Sequence, residues 1–138
     1  MLTVRLIEEC PSPLSEDAFT TAVRAELNAH QAKLGEYTVE LILTNDTRMQ
    51  TLNREHRNVD TTTDVLSLPT CFDTDRGAVF PELPGVPHEL GVIVISLDQA
   101  KRQIGRFGDT LNDELLGLAR HGLRHLLGHD HNDEGEWQ

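Results

Sequence analysis

The chain has 138 residues, of which 38% are apolar, so it has the size and apolar content of one domain with one hydrophobic core. It contains no run of about 18 apolar residues, and this excludes a membrane-spanning helix. The 23 acidic and 12 basic side chains give a net charge of -11, which argues against bulk electrostatic attraction to nucleic acid or to anionic membranes.

The predicted secondary structure alternates between strands and helices. Strands are predicted, from alternating or continuous apolar residues, over residues 2–8, 37–45, 64–69 and 90–96. Helices are predicted from Ser15 to near Gly35, from Asp46 as the N-cap to about His56, from Asp98 to about Phe107, and from Asp109 or Thr110 past Leu126. The last strand reads LGVIVIS, and its continuous apolar run predicts burial on both faces.

The segment between Pro69 and Leu90 contains three prolines and two glycines, so it is predicted to be a loop or an irregular hairpin. Together the elements predict an α+β fold, in one domain over residues 1–138, with a small mixed sheet of about four strands covered by helices. The N-terminus has no basic stretch followed by an apolar one, and the two cysteines are far apart, so we expect a cytoplasmic protein.

Four of the seven histidines fall in the stretch RHGLRHLLGHDHND, residues 120–133. His121 and His125 stand four residues apart on the last predicted helix, so their imidazoles project from one face. Gly128 is a C-terminal helix stop, after which the chain can turn back and bring His131 toward the first two. Three neutral imidazoles leave one position open on a tetrahedral ion, as in a catalytic zinc site. The pattern predicts one Zn²⁺ per chain, held by His121, His125 and His131 at the end of the C-terminal long helix.

The same spacing, H-x-x-x-H-x-x-G-x-x-H, occurs in the metzincin proteases, and this makes a metallopeptidase an alternative. The metzincin consensus places a glutamate directly after the first histidine, where it acts as the general base on zinc-bound water. Here that position is Gly122. The pattern therefore keeps the metal ligands of such a peptidase and lacks its base.

Three blocks of the chain, in this order, resemble those of the YbeY endoribonucleases, also called rRNA maturation factors. LNREHRNVDTTTDVLSLP, residues 52–69, is similar to the family's L-N-x-x-Y-R-G-K-D-x-P-T-D-V-L-S-F-P. LGVIVISLDQAKRQ, residues 90–103, is similar to its L-G-D-I-V-I-S stretch. HGLRHLLGHDH, residues 121–131, is similar to its signature H-G-x-L-H-L-x-G-Y-D-H.

The resemblance implies a single α+β domain and a zinc-dependent, single-strand-specific endoribonuclease. It implies work in the maturation of ribosomal RNA, at the 3′ end of the small-subunit RNA, and in ribosome quality control. The implied partners are single-stranded RNA, ribosomal RNA and the small ribosomal subunit, with ribosomal proteins or assembly GTPases as protein partners and no membrane. By position, His121, His125 and His131 match the metal ligands, and Arg57 matches the family's functional arginine.

Seven positions depart from the family blocks and bear on fine substrate preference. They are His56 for tyrosine, Asn58 for glycine, Val59 for lysine, Thr62 for proline, Val92 for aspartate, Arg124 for leucine and His129 for tyrosine. None of them removes a matched ligand or Arg57.

The chemistry of phosphodiester cleavage agrees with this assignment. Negative charge develops on phosphoryl oxygens, so the site needs a Lewis acid and a fixed cation. Arg57 could hold a phosphate oxygen pair bidentately, although from the residues alone it is a plain arginine at a helix end. The sequence contains no obvious general base. A metal-stabilised ribosome-assembly factor that cuts nothing is therefore a further alternative.

Overall fold

The computed structural model describes residues 2–29, 36–69 and 88–127. The elements are β1 (Leu2–Glu8), α1 (Glu16–Ala29), β2 (Tyr37–Thr44), α2 (Asp46–Arg57), β3 (Val65–Pro69), β4 (His88–Ser96), α3 (Leu97–Arg102) and α4 (Leu111–Leu126). They confirm the predicted α+β class with a four-stranded mixed sheet.

The sheet has the strand order β1-β2-β4-β3. β1, β2 and β4 run parallel, whereas β3 is an edge strand antiparallel to β4. The register pairs Val65 with Ile95 and Pro69 with Gly91. β3 therefore ends beside the beginning of β4, and this end of the sheet positions the candidate site.

Helices cover the sheet on two faces, because alternate residues of a strand point to opposite sides. α1 and α4 cover one face, and their apolar side chains form the main core with strand residues that include Val39, Leu41, Val65, Ile93 and Ile95. On the other face, Met49 of α2 packs against Leu66 and Val94. The predicted burial of the fourth strand on both faces is confirmed, since Ile93 and Val94 are buried in different clusters.

The N-cap of α2 differs by one residue from the prediction. Asn45 is the cap, and its side-chain oxygen accepts the backbone N–H of Arg48 at 2.8 Å. Asp46 lies in the first helical turn, where its carboxylate accepts the hydroxyl of Ser96 at 2.7 Å. Both residue types cap helices well, so the sequence pattern alone did not separate them.

The two C-terminal helices also refine the prediction. α3 is capped by Ser96, not begun by Asp98, and it ends at Arg102 instead of reaching Phe107. Gly105 follows with a φ of +122°, a conformation that no helix continues through. Thr110 caps α4 as predicted, accepting a backbone N–H in the first turn at 3.1 Å.

Three predicted features lie outside the described residues: the end of the first helix near Gly35, most of the loop between Pro69 and Leu90, and the helix stop at Gly128. Within the described ranges, no helix is long and apolar enough to cross a membrane.

Candidate functional site

The last two turns of α4 bring together two of the three predicted metal ligands. The Nε2 atoms of His121 and His125 are 2.8 Å apart, and the ring centroids are 4.4 Å apart at an interplanar angle of 62°. His125 is buried, with 4% of its surface exposed. The spacing of four residues therefore places both imidazoles on one helix face, as the sequence predicts.

His131, the third predicted ligand, and His129 lie outside the described residues. Among the residues that the structure describes, no group of three histidine, cysteine or acidic side chains could hold a metal ion. The three-histidine centre thus remains a prediction, and its described part is the pair His121 and His125.

The two Nε2 atoms lie slightly closer together than two imidazole ligands of one zinc ion would. Zinc binds imidazole nitrogen at about 2.0–2.1 Å, so two nitrogens on a tetrahedral ion lie roughly 3.3 Å apart. The observed separation of 2.8 Å is that of a hydrogen bond between the two rings. If the two rings moved slightly apart, the hydrogen bond between them would break. Both Nε2 atoms could then bind the same ion.

Gly122 lies between the two histidines and faces the sheet. A Cβ atom on this glycine would lie 2.6 Å from Cγ2 of Ile93 and 3.3 Å from Oγ of Ser67. A glutamate here would therefore project into β3 and β4 and not toward the histidine rings. The structure gives a physical reason why α4 lacks the base of a metzincin protease.

Arg124 contacts the pair from the side, through a contact that the sequence did not predict. Its Nη2 atom lies 3.2 Å from Nδ1 of His121, and its Nε atom lies 4.0 Å from Oε2 of Glu26 on α1. The spacing of three residues between His121 and Arg124 on a helix was the signal that could have found this contact.

Arg57 is the last residue of α2 and is half-buried. Burial lowers the pKa of its guanidinium from the ordinary value. Asn58 follows in the left-handed conformation, with φ 58°, and donates its N–H to the carbonyl oxygen of Arg54. Asparagine adopts this conformation more readily than most non-glycine residues. Asn58, which stands in place of the family's glycine, therefore preserves the end of the helix that carries Arg57.

α2, which carries Arg57, and α4, which carries the histidine pair, pack on opposite faces of the sheet. α2 begins beside the end of β4, where Ser96 contacts Asp46, and its 12 residues make it about 18 Å long. On the other face, Leu126 of α4 lies against the backbone of Gly91 at the start of β4. The structure thus brings His121 and His125 into contact and carries Arg57 on a helix of the opposite face.

The segment from Asn58 to Asp64, inside the first family block, folds back along α2. The buried side-chain amide of Asn53 donates to the carbonyl oxygen of Thr61 at 2.9 Å. The hydroxyl of Thr62 donates to Asp46 at 3.1 Å, a bond that the family's proline could not make. These bonds attach the segment to the helix that carries Arg57.

A partly buried charge network at the other end of α4 joins Asp64 and Gln103, from the first two family blocks, to Arg106 and Glu114, and sequence reasoning did not find it. Glu114 is fully buried, and its Oε2 accepts from Gln103 at 3.0 Å and from Arg106 at 2.9 Å. The same two side chains donate to Asp64 at 3.0 and 2.8 Å. Burial raises the pKa of Asp64, but the hydrogen bonds from Gln103, Arg106 and the Val65 N–H outweigh it and hold the pKa below its ordinary value.

Comparison with known proteins places these features in a family. The family model for endoribonuclease YbeY matches residues 8–138. Endoribonuclease YbeY of Thermus thermophilus is 47% identical over 105 residues, covering 76% of this chain and 70% of the relative. That of Nautilia profundicola is 44% identical over 112 residues, covering 80% and 72%. The solution structure of TM1509 from Thermotoga maritima shares the fold, with a TM-score of 0.59 and 23% identity over 97% of this chain and 79% of that one.

Proposed function

The chain belongs to the YbeY endoribonuclease family, and from this premise we propose that it is a zinc-dependent nuclease specific for single-stranded RNA. The proposed substrate is ribosomal RNA, with processing at the 3′ end of the small-subunit RNA and a role in ribosome quality control. The small ribosomal subunit, ribosomal proteins and assembly GTPases are the proposed partners, in the cytoplasm. One YbeY-like domain over residues 1–138 would carry this activity.

The observation that carries the proposal is the 2.8 Å approach of the two Nε2 atoms at the end of α4. His121, His125 and His131 would hold the metal as neutral ligands, so that the ion would keep its full positive charge. When bound, zinc supplies a Lewis acid that polarises a phosphate oxygen or activates a water. The burial of His125 supports this role, because its ring is fixed by packing.

Arg57 is the proposed cation that holds the phosphate. Its planar guanidinium can donate two parallel hydrogen bonds to phosphate oxygens. Two features support the role: its partial burial, which shields the charge from water, and the left-handed turn at Asn58, which ends the helix at Arg57.

The proposal is tested with purified protein, freed of trace nucleases, on matched single-stranded and duplex RNA. We expect single-strand cleavage that disappears on chelation, returns with zinc, and is absent from His125→Ala. Metal binding without any cleavage would instead support a ribosome-assembly factor. Elemental analysis should find about one metal ion per chain, and no metal after zinc is supplied would contradict the centre.

A further inference from the structure

The contact between Arg124 and His121 determines which ring nitrogen of His121 carries hydrogen. An arginine guanidinium only donates hydrogen bonds, so the Nδ1 atom 3.2 Å from Arg124 must accept. A neutral His121 then has its hydrogen on Nε2 and donates it to Nε2 of His125 at 2.8 Å. The three side chains form one chain of hydrogen bonds, running from Arg124 through His121 to His125.

Metal ligation requires the opposite arrangement of His121. A neutral imidazole that binds a metal through Nε2 carries its hydrogen on Nδ1, and that hydrogen is usually donated to a carboxylate or a carbonyl oxygen. Arg124 presents a donor at the position where this acceptor is needed. If a metal bound Nε2 of His121 in the observed arrangement, the hydrogen on Nδ1 would point at an N–H group of Arg124. Two hydrogen-bond donors would then face each other.

Glu26 offers Arg124 another partner. Its carboxylate lies 4.0 Å from the Nε atom of Arg124, and the two side chains are 17% and 37% exposed. Both belong to the interface in which α1 packs against α4. A rotation of the guanidinium toward Glu26 would remove the donor from Nδ1 without breaking the packing of either helix.

We propose that Arg124 controls metal loading in this chain: it holds His121 in the form that cannot ligate through Nε2, and it moves to Glu26 when metal binds. The inference rests on the proposed metal site at His121 and His125. The family signature has leucine at the position of Arg124. A leucine neither donates to Nδ1 nor repels a cation, so this chain should bind zinc more weakly than a variant with that leucine.

The test measures Zn²⁺ affinity of the metal-free full chain by competition with a chromogenic chelator. Arg124→Leu and Arg124→Gln should each bind zinc about tenfold more tightly than the wild type, the scale on which residues behind a metal ligand act. Arg120→Gln is the matched control, because it removes the same charge from the residue adjacent to His121. It should change the affinity much less than either Arg124 variant.

Glu26 provides the second arm of the test. Glu26→Gln should weaken zinc binding in the wild type, because Arg124 loses the partner to which it moves. In the Arg124→Leu background the same change should have no effect, so that the two substitutions are not additive. Histidine ¹⁵N spectra of the neutral, metal-free protein should show His121 in the Nε2–H form in the wild type, with a larger share of the Nδ1–H form in the Arg124 variants.

The outcomes separate this inference from the proposed function. Equal or weaker zinc binding by both Arg124 variants, compared with the wild type, would overturn the role of Arg124 alone. An equal gain in Arg120→Gln would also overturn it, since a general charge effect would then suffice. No zinc binding by the wild type or by any variant would overturn the metal site itself.

Discussion

The hydroxyl of Ser67 on β3 donates to the carbonyl oxygen of Gly122 on α4 at 2.9 Å, and both residues are buried. This bond joins the first and third family blocks at the residue that follows His121. Together with the contact between Gly122 and Ile93, it sets how closely α4 approaches the sheet. The position of the histidine pair is therefore determined by packing as much as by helical spacing.

Gly122→Glu tests that packing and the peptidase alternative together. The substitution restores the metzincin sequence, but its side chain would enter the sheet, so we expect no proteolysis of casein and a loss of about 3 kcal/mol or more in unfolding free energy. Urea denaturation measures the second quantity. Reproducible casein cleavage by the wild type, lost on His125→Ala, would instead favour a metallopeptidase.

A smaller substitution provides the control for this steric argument. Gly122→Ala adds only the Cβ that would lie 2.6 Å from Ile93, and it should cost about 1–3 kcal/mol. In an Ile93→Ala background, where that neighbour is shortened, the added cost of Gly122→Ala should be clearly smaller. An equal cost in both backgrounds would contradict the proposed contact.

Arg106→Ala should destabilise the fold, because it leaves two carboxylates without their shared cation. Glu114 is fully buried and Asp64 is 15% exposed, whereas Arg106 itself is 48% exposed. Solvent screening therefore reduces the loss below the 3–5 kcal/mol of a fully buried pair, to about 2 kcal/mol. Arg5→Ala, which breaks the exposed pair with Glu40, should cost less than about 1 kcal/mol in the same denaturation series.

The pKa of Asp64 predicts how stability depends on pH. Because hydrogen bonding holds this pKa below its unfolded value of about 4, the ionised carboxylate stabilises the fold above that value. The contribution is lost as pH falls through the lower, folded-state pKa. Asp64→Asn should therefore be less stable than the wild type at pH 7, and the difference should shrink below about pH 4.

Asp60→Asn is the matched control for this pH series, because it removes an exposed carboxylate from the same segment. Its unfolding free energy should follow the wild type closely at every pH. If the difference between wild type and Asp64→Asn stayed constant from pH 7 to pH 3, the carboxylate of Asp64 would not carry the acid sensitivity.

Residue spacing within single helices and strands predicted part of the fold and of the site. The rest depends on contacts between residues that are far apart in sequence. The four-residue period placed His121 and His125 together, and the apolar pattern located the strands to within two residues at each end. The network of Asp64 and Glu114 joins positions fifty residues apart, so no pattern within one element could reveal it. The same holds for Gly122, whose role depends on a side chain of β4.

Arg57 carries the last prediction, which concerns how so acidic a protein holds RNA. A net charge of -11 repels a polyanion at long range, so binding must depend on a few local cations and the metal. Arg57→Ala should keep its fold and its zinc but lose about 100-fold in cleavage rate. Arg57→Lys should cleave RNA little faster than Arg57→Ala, because the point charge of lysine cannot form the two parallel hydrogen bonds of a guanidinium.

Arg48→Ala is the matched control, since Arg48 is an exposed arginine at the opposite end of α2. It should cleave RNA at a rate near that of the wild type, whereas a comparable rate for Arg57→Ala would refute the assigned role.

Binding across a salt series supplies an independent measure, with a slope of about -0.7 per contacted phosphate on a single strand. Because the net charge of -11 leaves few phosphates to be engaged, we expect a shallow dependence. A steep dependence would show that RNA follows a longer basic path over the surface.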